Sequence, residues 1–241
     1  MERRLYQESY LLEKTHWWHI TKRELVLLLI KKYCQSSNPR MLDIGCGTGG
    51  NMETFSSIGK AFGLDSSKEA LRFCRKRGIS AVRQGTTTQL PYAARFFDVV
   101  AMLDVLEHTE DAKALKEVQR VLKPHGLFIV NVPAFPWLWS TWDEIAHHKR
   151  RYTKTSLTNL FVHHGFSIIK ISYLFLFLLV PALVIRKLKS TWYTKSSYPS
   201  DFQLSSSLNK LLLTLARIET RIAVARMLPF GTSLFCVAIK E

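Results

Sequence analysis

The sequence predicts one α/β domain built around an open parallel sheet, and three observations predict it. Strand-like and helix-like runs alternate along all 241 residues without a Gly/Ser linker between them. The stretch LDIGCGTGGN, Leu42 to Asn51, places a glycine turn between an apolar strand and a helix start. Asp65 then closes the next strand, 22 residues after Asp43, the spacing of a ribose-binding carboxylate at a second strand tip.

Each element follows from its local pattern. Thr21 to Tyr33 reads as a helix, with Leu25, Leu28, Leu29 and Lys32 giving one apolar and one basic side. Strands are expected near 40–44, 60–64, 79–83, 97–103 and 126–132, with helices near 50–57, 67–77 and 111–121. Asp111 is placed to cap the last of these helices, and the Lys123–Gly126 turn ends it. Pro133 to Trp142 is aromatic and proline-rich and reads as a loop where open parallel sheets put ligands. A helix from Thr155 to His164, a strand from Phe166 to Tyr173 and a final strand from Ser233 to Lys240 restore the alternation. The chain therefore divides into an N-terminal helical cap (1–38), a nucleotide-binding core (39–133) and a substrate-side loop, helix and strand (134–173). A helical insertion (174–232), with helices near 174–189 and 205–227, and a last strand (233–241) complete it.

Gly45, Gly47 and Gly50 satisfy the dinucleotide spacing G-x-G-x-x-G, yet Asp43 argues against a dinucleotide. A carboxylate two residues before the first glycine repels a pyrophosphate in a weakly screened site. S-adenosylmethionine, with an amine and a sulfonium in place of phosphates, suits it better. A structural glycine turn is the plainer alternative at the loop, and an ordinary helix N-cap is the plainer role of Asp65 or Ser66.

The segments D-x-G-C-G-T-G, GLDSS, FDVVAMLDVLEH and LKPHGLFIVNVP together resemble the class I S-adenosylmethionine-dependent methyltransferases, over roughly residues 39 to 133. Within that superfamily the chain is similar to the ubiquinone/menaquinone-biosynthesis type and to relatives in glycan and lipid pathways. HWW with Arg23, HHKRRYT and PFGTS flank the core as further family-like signals. The resemblance implies a Rossmann-like seven-stranded sheet with flanking helices, and S-adenosylmethionine as cofactor. It implies cofactor contacts from Asp43, Gly45, Cys46, Gly47, Gly49, Asp65, Ser66 and Leu103. Thr86 stands where the family commonly has an acid near the adenine, so Thr86 and Thr87 are expected to make that contact.

Two stretches remain for the chemistry. The N/D-P-P-aromatic motif of base-modifying enzymes is missing after the fourth strand, where Asp104-Val-Leu-Glu-His108 stands instead. His108 is a candidate general base. The resemblance to ubiquinone O-methyltransferases adds a metal option at Asp104, Glu107 and His108, and a structural role for Glu107 and His108 stays open beside both. Asp143, His148, Arg150, Arg151 and Tyr152 match the D-x(4)-H-x-R-R-Y pattern of the glycan- and lipid-pathway relatives. His148 is there the second candidate base, with the arginines for an anionic group; a solvated basic loop is the alternative. Of Arg150 and Arg151, one is expected to meet the acceptor and the other a carboxylate, Asp143 or Glu144, because consecutive residues diverge.

The net charge of +15, from 34 basic and 19 acidic residues, attracts nucleic acid, anionic membrane or phosphorylated substrates without choosing among them. Four scattered cysteines and an N-terminus without an apolar core suggest a cytoplasmic setting. Tyr173 to Ile185 is apolar, but as a helix it is roughly 20 Å long and short of the about 30 Å needed to span a bilayer. Shallow contact with an anionic membrane through Phe175, Phe177 and Leu178, with the basic run at 186–189 on headgroups, competes with burial in the core. The expected function is O-methylation of a small-molecule or lipid-linked acceptor. An RNA methyltransferase, disfavoured by the missing motif, and a non-catalytic membrane scaffold are the rivals.

Overall fold

The computed structural model describes residues 3–189 and 204–241. Its centre is a seven-stranded sheet whose strands, in chain order, are β1 (Arg40–Ile44), β2 (Lys60–Asp65), β3 (Val82–Gln84), β4 (Phe97–Leu103), β5 (Leu122–Pro133), β6 (Phe166–Leu174) and β7 (Ser233–Lys240). The spatial order is β3-β2-β1-β4-β5-β7-β6, with β1 to β5 parallel and β7 antiparallel to both its neighbours. The chain reverses its direction across the sheet after β3, so β1 and β4 lie side by side and a crevice opens at their C-terminal ends.

Both faces of the sheet are covered, which explains the near-continuous apolar strands. Successive side chains alternate between faces. Leu42, Ile44, Val100 and Met102 pack under α5 (Asp111–Val121) and α7 (Lys154–His163). Met41, Val99, Ala101 and Ile129 pack under α2 (Trp17–Tyr33) and α9 (Ser206–Ala225). Each such Leu, Ile or Val removed from water contributes about 1.5–3 kcal/mol before entropy is counted.

The remaining helices are α1 (Arg3–Leu12), α3 (Gly50–Ser56), α4 (Lys68–Lys76), α6 (Thr141–Ile145) and α8 (Leu179–Lys189). Ser67 caps α4 by accepting from Ala70 N, and Thr153 and Ser156 form a reciprocal capping box on α7. Two expectations need correction. Asp111 is the first residue of α5, not its cap, which is Glu110; its Oδ1 accepts from Ala112 N at 2.9 Å and its Oδ2 is taken by Arg150 and Tyr152. The Lys123–Gly126 turn lies within β5, because Leu122 already pairs with Phe97 before the register shifts.

The apolar run at 173–185 does not behave as one unit. Tyr173 to Phe175 are buried, and Phe175 stacks on Trp18 at 4.5 Å and meets Trp17 edge-on at 5.5 Å. Phe175 is thus a core residue rather than a membrane contact, because two indoles of α2 remove it from solvent. Beyond it Leu176, Val180, Leu183 and Val184 are exposed. The basic run at 186–189 lies outside the described side chains. Among the described residues no helix is long and apolar enough to cross a membrane.

Candidate active site

The loop after β1 needs backbone that only glycine adopts without strain. Gly45, Gly47 and Gly49 have φ of 73°, 53° and 92°. A Cβ at Gly45 would stand 2.4 Å from Val105 Cγ2, so β1 and the β4 end approach as closely as they do only with glycine there. Gly47 has open space on the side where a Cβ would point. The loop is pinned to the neighbouring strand by Gly45 N and Cys46 N donating to Leu64 O.

Asp65 carries the loop from the β2 side. Gly47 N donates to its Oδ2 at 3.0 Å and Ser67 N to its Oδ1 at 2.9 Å. Each oxygen keeps a lone pair for a further donor. Burial raises the carboxyl's pKa, and the backbone donors oppose this. Asp43 lies beneath the loop, 1% exposed, and accepts from Asn51 Nδ2 at 3.2 Å. Burial pushes its carboxyl up to about 7, with the charges of Glu13 and Asp65 adding to this and Asn51 opposing. Cys46 is buried against α3 and α4, and Cys74 donates to Gly47 O.

These elements open into a cavity of about 910 Å³ along the C-terminal ends of the parallel strands. Thr86 to Thr88 line it beyond β3, Asp65 and Ser66 at β2, Gly45 and Gly47 at β1, and Asp104, Val105 and His108 at β4. Trp142 and Ile145 of α6, with His147 and Lys149 after it, form the far wall. Asp43, Cys46, Gly49 and Leu103 belong to the same β1 and β4 ends but are not among the residues that line the cavity. Tyr6, Glu8 and Ser9 of α1 close one side, a contribution that the short polar N-terminal stretch does not signal in sequence. Glu13 latches that helix to the loop, accepting from Thr48 Oγ1 at 2.6 Å and Arg77 Nη2 at 2.9 Å.

The DVLEH segment is sorted by depth. Asp104, at φ 56°, reaches the cavity and is held by Asn131 Nδ2 at 2.6 Å and by the ammonium of Lys22. Lys22 lies over the Trp18 ring at 4.1 Å, and burial brings its pKa down to about 7. Its position one turn after Trp18 on α2 is the sequence signal that points to it. Glu107 is fully buried and, among the described residues, neither of its oxygens has a hydrogen-bond partner; burial pushes its carboxyl up to about 8, against the charges of Lys22 and Arg151. His108 faces the cavity. Its Nδ1 lies 3.1 Å from His147 O, which fixes the proton there and leaves Nε2 as the basic nitrogen. Burial lowers its pKa.

The polar loop is organised around Asp143. Asp143 is fully buried and accepts from Arg151 Nε at 2.7 Å, Arg151 Nη2 at 3.0 Å and Ser140 N at 2.9 Å, and its Oδ1 lies 2.8 Å from His148 Nδ1. Burial acts to raise its carboxyl, but these donors outweigh it and hold the pKa at about 2. Arg150 donates to Asp111 Oδ2 at 2.6 Å, and the Tyr152 hydroxyl donates to the same oxygen at 3.3 Å. Both arginines are thus engaged by carboxylates, and among the described residues the cation left on the cavity wall is Lys149. His148 sits behind His108, with ring centroids 4.8 Å apart. Among the described residues Glu107, His108 and His148 bring potential metal-ligand atoms within 4.8 Å of one another, whereas Asp104 is drawn to Lys22.

A family model described as a methyltransferase domain matches residues 42–130. The uncharacterized methyltransferase YcgJ of Bacillus subtilis is 34% identical over 139 residues, covering 53% of each chain. The uncharacterized protein MJ0638 of Methanocaldococcus jannaschii is 31% identical over 178 residues, 70% of this chain and 75% of that protein. The chain spans about half the length of the first of these curated relatives. Among solved structures, that of a SAM-dependent methyltransferase from Archaeoglobus fulgidus superposes with a TM-score of 0.55 at 18% identity, over 90% of this chain and 94% of that one. The chain belongs to the class I S-adenosylmethionine-dependent methyltransferase family. S-adenosylmethionine is that family's cofactor, and the left-handed glycine loop, the Asp65 lone pairs and the open cavity beside Gly47 fit it.

Proposed function

We propose that the protein transfers a methyl group from S-adenosylmethionine to an oxygen of a lipid, quinone-like or lipid-linked glycan acceptor. The observation that carries this reading is one continuous cavity with the glycine loop and Asp65 over one part and His108, Asp104 and Lys149 over the other. When bound, S-adenosylmethionine supplies an electrophilic methyl group open to in-line displacement. Asp65 holds the ribose hydroxyls, Thr86 and Thr87 flank the base, and Gly45 to Gly49 take the methionine end. Asp43 acts through the loop, seated beneath it and bonded to Asn51. Asp104, fixed by Lys22 and Asn131, orients the acceptor, and Lys149 meets its anionic or phenolate group. His108 Nε2 receives the acceptor's proton. His148, oriented by Asp143, packs against His108 and keeps its ring in place.

Asp65→Ala removes charge-assisted hydrogen bonds worth about 1.5–3 kcal/mol, roughly tenfold or more in cofactor affinity. Titration calorimetry with S-adenosylmethionine reads this directly, and equal affinity in variant and parent removes Asp65 from the ribose site.

The acceptor class is tested by incubating the protein and labelled S-adenosylmethionine with a total lipid extract and, separately, with total RNA. Label is expected in an organic-soluble product. Label in RNA alone, with steep salt dependence, overturns the acceptor reading in favour of a phosphate-driven RNA enzyme. No label in either, with cofactor still bound, leaves the non-catalytic scaffold.

A further inference from the structure

The outer face of α9 is apolar in a regular pattern. Leu208, Leu211, Leu215, Ile218 and Ile222 follow at spacings of three and four, which lines them along one side of the helix. Each is 39–55% exposed. The opposite side, with Ala216, Thr220 and Ala223, is buried in the protein. The apolar surface does not stop at α9. Glu219 accepts from Leu176 N at 3.0 Å and Phe177 N at 3.4 Å, which seats the next segment beside α9. That segment exposes Leu176, Val180, Leu183 and Val184. At the C-terminal end of α9, Met227 and Phe230 are about half exposed. Phe135 lies between Phe230, at 6.2 Å, and the exposed Trp137, at 5.1 Å. The same loop continues through Trp139 to Trp142 on the cavity wall.

We propose that this face, the α9 seam with its extensions to Val180 and Trp137, lies in the surface of an anionic lipid bilayer. Charge selects this occupant. At 100° per residue, Lys210, Arg217 and Arg221 form one exposed basic edge along the seam. Arg217 is shared with Glu24, and the single acid of α9, Glu219, is turned to the backbone of residues 176 and 177. A second copy docking on this face would set basic edge against basic edge, without the opposite charges that flank paired helices. An anionic headgroup layer complements it, and the net charge of +15 has the same sign. The helix would lie in the plane, with its leucines at the acyl boundary and the tryptophans of 137–142 at headgroup level. The inference stands apart from the methyl-transfer reading, since its readout is binding to lipid.

The test is co-sedimentation of the full chain with phosphatidylglycerol vesicles and with phosphatidylcholine vesicles, at low and high salt. The parent is expected to sediment with phosphatidylglycerol and to release as salt screens the basic edge. Leu211→Ser with Ile218→Ser removes two exposed anchors and is expected to weaken binding at least tenfold with an unchanged circular dichroism spectrum. Lys210→Glu with Arg221→Glu is expected to abolish the preference for phosphatidylglycerol while the seam is intact. Absence of parent binding, or undiminished binding by the serine variant, overturns the proposal. So does a parent that elutes as a dimer, binds no vesicles and becomes monomeric in the serine variant, which assigns the face to a second copy.

Discussion

Asp143→Ala is expected to cost about 3–5 kcal/mol of stability, because it strands a buried guanidinium rather than removing a surface charge. Arg151 is 8% exposed and two of its nitrogens donate to Asp143, so the variant keeps a desolvated cation whose remaining acceptor among the described residues is Ala134 O. For a chain of this size the thermal midpoint falls by an amount on the order of 10 °C. The pH dependence has a definite sign. The Asp143 carboxyl is held at about 2, below its ordinary 3.8, so its contribution is present above the unfolded pKa and is lost as pH falls through the folded one. The gap between parent and variant is therefore full at neutral pH and closes below about pH 4. Thermal unfolding of both proteins across that range checks it; a neutral-pH difference under about 1 kcal/mol would show that the pair is not desolvated. Asp143→Leu with Arg151→Met, which removes both charges, is expected to be less destabilised than Asp143→Ala.

His108→Ala is expected to lower turnover roughly 10²–10⁴-fold while leaving S-adenosylmethionine affinity unchanged. The side chain projects into the cavity and, among the described residues, its hydrogen bond is to His147 O, so its loss leaves the core intact. Burial lowers the imidazole's pKa, so Nε2 is unprotonated at neutral pH and able to accept a proton. The parent's single-turnover rate is expected to fall as pH drops through a value below the ordinary 6.5, and the variant's rate to be flat there. Full activity in His108→Ala with the parental profile would remove His108 as base and return the role to His148. His148→Ala alone is expected to be milder, since its ring nitrogens are turned to Asp143 and Glu107 and not to the cavity.

The parts of the site legible in sequence are those in which neighbours in the chain are neighbours in space. The glycine turn after β1 and the carboxylate at the tip of β2 are read from spacing, because a strand fixes direction and length and a tight turn leaves few backbone conformations. The same locality placed β4, α5 and the helix and strand at 154–174 to within a few residues, apart from the start of β5, which the pairing of Leu122 with Phe97 extends. That one of Arg150 and Arg151 pairs with Asp143 also followed from local geometry, but the second carboxylate, which stands where the acceptor was expected for the other arginine, did not. One partner is Asp143 in the same loop and the other is Asp111, 39 residues earlier, brought near by packing of α5.

By itself, then, the sequence determined the order of strands and helices, the glycine loop and the family-like motifs, all of which depend on local backbone preference and short-range spacing. Only the tertiary structure decided which polar groups reach the cavity. Asp104, Glu107 and His108 are close in the chain, yet one is paired to a lysine of α2, one is fully buried with His148 Nε2 at 3.9 Å, and one faces the cavity. It likewise decided that Phe175 belongs to the core and the α9 leucines to the surface, although both stretches are apolar in sequence. Hydrophobicity states that a side chain gains by leaving water; which neighbours are there to cover it depends on segments far away in the chain, here the two tryptophans of α2 for Phe175.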